Sequence, residues 1–190
     1  MMELPAAIRD IFFETLQPEG SVAAFEQWLY AEKELENTIG EDHYVELISI
    51  NFKGKYAKPE LALWLFERTD PGEFEVWKLL KLLNRALKGG PDLPGLLTTF
   101  YDLYCKGYAF FDNLGLNYGL SVAAPLEYAS YWHQLTGEQQ AGILSGFYPD
   151  ITTEIRKVIA WLENKELLLT GETDTDGRFI YSDNRASGIV

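Results

Sequence analysis

Apolar positions along the first half of the chain recur at helical spacing. Residues 4–16 place Ile8, Ile11, Phe12 and Leu16 on one face, which predicts an amphipathic helix. Pro18 and Gly20 end it, and Ser21 is placed to cap a second helix carrying Val22, Phe25 and Leu29. A short third helix over 32–39 stops at Gly40. A fourth opens on Glu41 and Asp42, whose charges suit a helix N-terminus, and presents Tyr44, Leu47, Ile48 and Phe52. After the basic turn 53–58, Pro59 opens a helix to about Arg68. Asp70-Pro71-Gly72-Glu73 then combines a capping Asp, a Pro in the first turn and an acid able to reach back to the cap. The helix it starts should bury Val76, Leu80, Leu83 and Leu87 and end at Gly89-Gly90-Pro91.

The second half is more aromatic. A helix is predicted over 94–106. Residues 107–125, GYAFFDNLGLNYGLSVAAP, lose helical periodicity among their glycines and asparagines, and read as a long irregular loop with a short strand. Pro125 to Leu135 reads as helical. Thr136 and Gln139 form a capping box for a helix to about Phe147, and Asp150 starts another with Ile151, Ile155, Val158 and Leu162 inward. The end, ELLLTGETDTDGRFIYSD, reads as a hairpin around Asp-Gly. The fold class is therefore mainly α, a helical bundle-like fold with a small C-terminal β-hairpin. A boundary is expected at 89–94, dividing an acidic helical region (1–90) from an aromatic-rich one (91–190). The sequence leaves open whether the two share one core.

Charge changes the picture most. The net charge is −13 over 190 residues, and residues 1–50 alone hold 11 acids against 2 bases. A basic footprint for nucleic acid is absent, whereas an acidic face attracts basic partners. No stretch has the length and apolarity of a membrane helix. The N-terminus lacks the basic-then-apolar pattern of a signal peptide, and cytoplasmic localisation is the expectation.

Candidate chemistry is sparse, and no catalytic residue and no cofactor are assigned. His43 and His133 are the only histidines, and His43 with Glu41 and Asp42 cannot converge on one metal because adjacent helical residues diverge. Cys105 is the single cysteine and reads as a small core residue; Ser145 lacks a strand–turn–helix setting. Lys78, Lys81, Arg85 and Lys88 form a basic stripe that reads as a solvated face. Two binding readings remain. One places an apolar small-molecule pocket at 107–125, with Phe110, Phe111 and Tyr118 as its walls and Asp112 as a polar anchor. The other takes the acids crowding 32–46, Glu32, Glu34, Glu36, Glu41 and Asp42, as a contact face for a basic protein.

Two resemblances bear on this choice. The stretch FEQWLYAEKELENTIGEDHYVELISINFK, residues 25–53, resembles a short helical module of uncharacterised bacterial proteins. Some of these are of immunity type in polymorphic toxin systems. The resemblance rests on Trp28 and Tyr30, the Glu34-Leu35-Glu36 run, Gly40-Glu41-Asp42 and the helix from Tyr44 to Phe52. It implies a non-catalytic bacterial binding protein that blocks a basic toxin. The C-terminal stretch TTEIRKVIAWLENKELLLTGETDTDGRFIYSD is similar to the helix-plus-wing pattern of winged-helix proteins. Arg156, Lys157, Lys165 and Arg178 are offset there by Glu154, Glu163, Glu166, Glu172, Asp174 and Asp176. That balance fits protein contacts better than duplex binding and makes a winged-helix-like regulator the third and least favoured reading.

Overall fold

A computed structural model describes residues 4–125 and 129–185. The protein is mainly α-helical with a C-terminal β-hairpin, and it divides into two compact units, Met1–Phe74 and Glu75–Val190. The division falls inside the first turn of a helix, earlier than the expected 89–94.

The first unit holds α1 (Ala6–Leu16), α2 (Val22–Ala31), α3 (Leu35–Ile39), α4 (Glu41–Ile48) and α5 (Ala57–Arg68). Ser21 caps α2 by accepting from the Ala24 N–H at 3.2 Å. Gly40 joins α3 to α4 at φ +86°, a conformation that costs glycine little and other residues more. Phe12 lies at the centre of this unit's core, its ring about 6 Å from those of Phe25, Trp28 and Trp64. Leu29, Leu35, Leu47 and Leu65 complete the core. Ile48, expected on the inward face of the fourth helix, is exposed, and Tyr30 is 62% exposed. Phe25 and Leu29 set the inward face of α2, and Tyr30 follows Leu29 by a ~100° rotation.

α6 (Pro71–Lys88) starts as predicted, with the Asp70 carboxylate accepting from the Glu73 N–H at 2.7 Å. The Glu73 side chain takes Arg9 as a partner, at 3.3 Å. Within the second unit α6 buries Leu79, Leu83 and Ala86, a face turned slightly from the predicted one; Val76, Leu80 and Leu87 are half-buried at its edge. This is why the helix counts with the second unit.

α7 (Leu93–Cys105) leads into the largest departure from expectation. Residues 107–125 are not a loop. They form a 3-10 turn (Ala109–Phe111), a π-helix (Asn113–Gly119) and α8 (Leu120–Ala123). Gly115 and Gly119 face α7 so closely that a Cβ on Gly115 would stand 3.0 Å from the Tyr104 Cβ, and one on Gly119 would overlap the Leu97 carbonyl oxygen. These glycines serve close helix packing, not a turn. Of the helix expected over Pro125–Leu135, residues 126–128 lie outside the described residues, and the described remainder holds bends and a 3-10 turn, Trp132–Gln134, flanked by extended Tyr131 and Leu135.

α9 (Gly137–Gly146) carries the predicted capping box, with Thr136 and Gln139 exchanging hydrogen bonds at 2.9 and 3.2 Å. α10 (Asp150–Glu163) buries Ile151, Ile155, Val158 and Leu162, the four predicted. β1 (Leu167–Thr173) and β2 (Phe179–Asp183) pair antiparallel in the register Leu167↔Asp183 and Leu169↔Tyr181. Gly177, at φ +76°, serves the turn between them. Cys105, expected in the core, is exposed at the end of α7, whose inward face is Leu93, Leu96, Leu97 and Phe100. No helix among the described residues is long and apolar enough to cross a membrane.

Candidate functional site

The acids singled out in the sequence sit on α3, α4 and the turn before them, and the structure separates them into two kinds. Glu32 is half-buried, and its carboxylate accepts from the Glu34 N–H at 3.3 Å, supporting the start of α3. Glu34 accepts from the Asn37 side chain at 3.2 Å. Glu36, Glu41 and Asp42 are exposed and have no hydrogen-bonding or cationic side-chain partner among the described residues. Glu41 and Asp42 occupy the first turn of α4, where the aligned peptide dipoles favour negative charge. The first unit holds 15 Asp and Glu against 6 Lys and Arg, so no internal cation excess neutralises these three.

One further constellation joins α4 to α5. The Glu46 carboxylate accepts from Trp64 Nε1 at 3.2 Å and from Arg68 Nη2 at 2.5 Å, and lies 3.4 Å from His43 Nδ1. The guanidinium of Arg68 stacks 4.4 Å from the centre of the Trp64 ring and also reaches Glu67 at 3.2 Å. His43 Nδ1 donates to Glu46 or accepts from Arg68 Nε, at 3.5 Å, according to where its proton sits. Hydrogen bonding from His43, then from Trp64, with the charge of Arg68, holds the Glu46 carboxyl below its ordinary pKa. A carboxyl lowered by folding stabilises the fold above the unfolded-state pKa, and the effect fades as pH falls through the folded-state value. Glu46→Gln is therefore expected to lower the melting temperature at neutral pH, with the difference from the parent chain closing in acid; a pH series of thermal melts measures it. The Trp64–Arg68 spacing of four was legible as a helical pair. The pairing with Glu46 crosses 22 residues of sequence and carried no local signal.

The aromatic candidates lie in the second unit. Phe110 and Phe111 are buried core side chains, with Phe111 stacked on Phe100 at 5.1 Å and 12°. Tyr118 is half-buried and meets Phe147 edge-on at 5.1 Å. Asp112 is exposed and accepts from the Asn113 N–H at 2.6 Å, capping the π-helix. The structure thus places the two Phe rings inside the core rather than around an opening. Tyr108 is also fully buried, and burial, with Glu75 nearby, pushes its pKa well up.

In the basic stripe, Lys78 pairs with Glu75 at 2.5 Å, Lys81 lies over the Trp77 ring, and Arg85 pairs with Asp92 at 3.0 Å. No group of three or more His, Cys, Asp or Glu side chains among the described residues is arranged to hold a metal ion. What the first unit offers is a preorganised polar lattice on α4 and α5 beside unpaired carboxylates on α3 and α4. No family model, curated protein or solved structure matches the chain.

Proposed function

We propose that the protein is a non-catalytic binding module that takes a basic protein partner on the acidic face of α3 and α4. The observation that carries this is the exposure of Glu36, Glu41 and Asp42 without a cation of their own. Carboxylates so placed add little to the fold and are free to steer a cationic partner. The likeness of residues 25–53 to bacterial immunity-type modules points the same way. In that role the protein acts in the bacterial cytoplasm and blocks a toxin whose own basic surface is made for a polyanionic substrate.

The test is recovery of a basic protein from host lysate on the immobilised chain, at low and moderate salt. The retained protein is then titrated against the parent chain and against Glu36→Lys/Glu41→Lys/Asp42→Lys. Exposed charge pairs contribute about 0.2–1 kcal/mol each. The triple variant is therefore expected to weaken binding about tenfold at low salt, with the gap shrinking as salt rises. Unchanged affinity of the folded triple variant would sink the acidic-face assignment.

A further inference from the structure

α5, the end of α4 and the turn after it border an open groove of about 380 Å3. Its apolar part is Ile50, Leu63 and Trp64; its acidic part is Glu46, Glu60 and Glu67. Leu63 is 60% exposed, and Val45, Ile48 and Phe66 of the same two helices, outside the groove's lining, are also exposed. Large apolar side chains left in water on two adjacent helices are a cost to the free protein that a partner can remove. Arg68 is the single base of the lining, and it is already committed to Glu46, Glu67 and the Trp64 ring. Glu60 is exposed and has no cationic partner among the described residues. The groove therefore carries net negative charge around an apolar seat, and its Arg68–Trp64–Glu46 wall is held in place before anything binds.

We infer that this groove seats one amphipathic helix of a protein partner, with a Leu-like side chain against Leu63 and Ile50 and Lys or Arg flanking it toward Glu60 and Glu67. The walls are α5 and the end of α4 with its last turn, whose N–H groups are bonded back into the helix, so an added strand would find few partners there. A helix laid between two helices packs its ridge into their groove. The carboxylates repel phosphate, which disfavours nucleic acid and anionic lipid. This inference rests on the reading of a basic partner but uses residues outside the α3–α4 acidic face, so either can fail alone.

The probe is a labelled amphipathic peptide helix of Leu and Lys, with its Glu-for-Lys counterpart as control. Each is titrated by fluorescence anisotropy with the full chain. The Lys peptide should bind saturably and the Glu peptide should not. Leu63→Asp is the decisive variant because it adds negative charge while removing the apolar seat. It should weaken the Lys peptide about tenfold or more, and Glu60→Lys/Glu67→Lys should weaken it as well. Leu63→Ala, which is neutral, should fall between Leu63→Asp and the parent chain, and circular dichroism checks that each variant is folded. The triple charge reversal on α3 and α4 should leave peptide affinity within about twofold. No saturable binding overturns the inference, as does equal or tighter binding by Leu63→Asp, the mark of attraction by charge alone. Peptide binding lost in the triple reversal but kept in Leu63→Asp moves the contact to the acidic face and also overturns it. Self-association of the free chain that Leu63→Asp abolishes assigns the groove to a second copy instead.

Discussion

Phe111→Ala is expected to destabilise the second unit by about 3–5 kcal/mol. Its ring is fully buried and lies between Phe100, at 5.1 Å, and Phe110, at 4.8 Å. Truncation removes the ring's burial and leaves a cavity walled by two aromatic rings and α7, which packed helices do not readily collapse to fill. The ring's neighbours all lie in the second unit, so the loss should appear in the unfolding of that unit. Urea unfolding followed by far-UV circular dichroism measures it. A loss below about 1 kcal/mol would mean that the ring lines a yielding space, and the pocket expected from the sequence would return to consideration.

Gly119→Ala is expected to cost about 1–3 kcal/mol by overpacking, against the usual trend. In a helix interior, replacing Gly by Ala ordinarily gains about 0.5–1 kcal/mol. Gly119 has helical dihedrals, φ −66° and ψ −46°, so the backbone itself would accept Ala. The obstacle is the neighbour: a Cβ would overlap the Leu97 carbonyl oxygen and stand 2.9 Å from the Tyr101 Cβ. Both belong to α7, which is backed by the core and cannot retreat cheaply. Gly142 in α9 is the control. An added Cβ there meets nothing within 4 Å, and Gly142→Ala should stabilise. Opposite signs for the same substitution in two helices, read as shifts in urea midpoint, identify close packing as the role of Gly119. A stabilised Gly119→Ala would remove that role.

Much of the fold was legible because its signals are local. Ser21, Asp70 and Thr136 each cap a helix within three residues of themselves, and the inward face of α10 repeats at a spacing no competing pattern obscures. The Asp-Gly turn likewise names its own hairpin. Where reading failed, the deciding partner was distant in sequence. The glycines of 113–119 looked like breakers because their purpose, approach to Leu97, Phe100 and Tyr101, lies on another helix. Phe110 and Phe111 looked like pocket walls for the same reason. Cys105 was placed by residue type, whereas the phase of α7 turns it outward. At the candidate site, the acids were legible as acids, but their division into Glu32 and Glu34, engaged locally, and Glu36, Glu41 and Asp42, left open, needed the fold. The lattice of Glu46, Trp64 and Arg68 was illegible because it joins two helices across an intervening turn.

The π-helix has a consequence for how this chain can vary. Its i→i+5 hydrogen bonds give each turn about one residue more than an α-helix has. That surplus places Leu114, Gly115 and Gly119 inward, and Val122, in α8, also lies in the core. Removing a single residue from 113–119 would let the segment relax to ordinary helix with nearly the same number of turns, so Val122 would keep its place while the approach of Gly115 and Gly119 to α7 was redrawn. The surplus residue is therefore absorbed inside the π-helix rather than passed on to α8. Related chains should accept replacement at the outward Leu116, Asn117 and Leu120, and loss of one residue here should cost the close approach to α7 rather than the placing of α8.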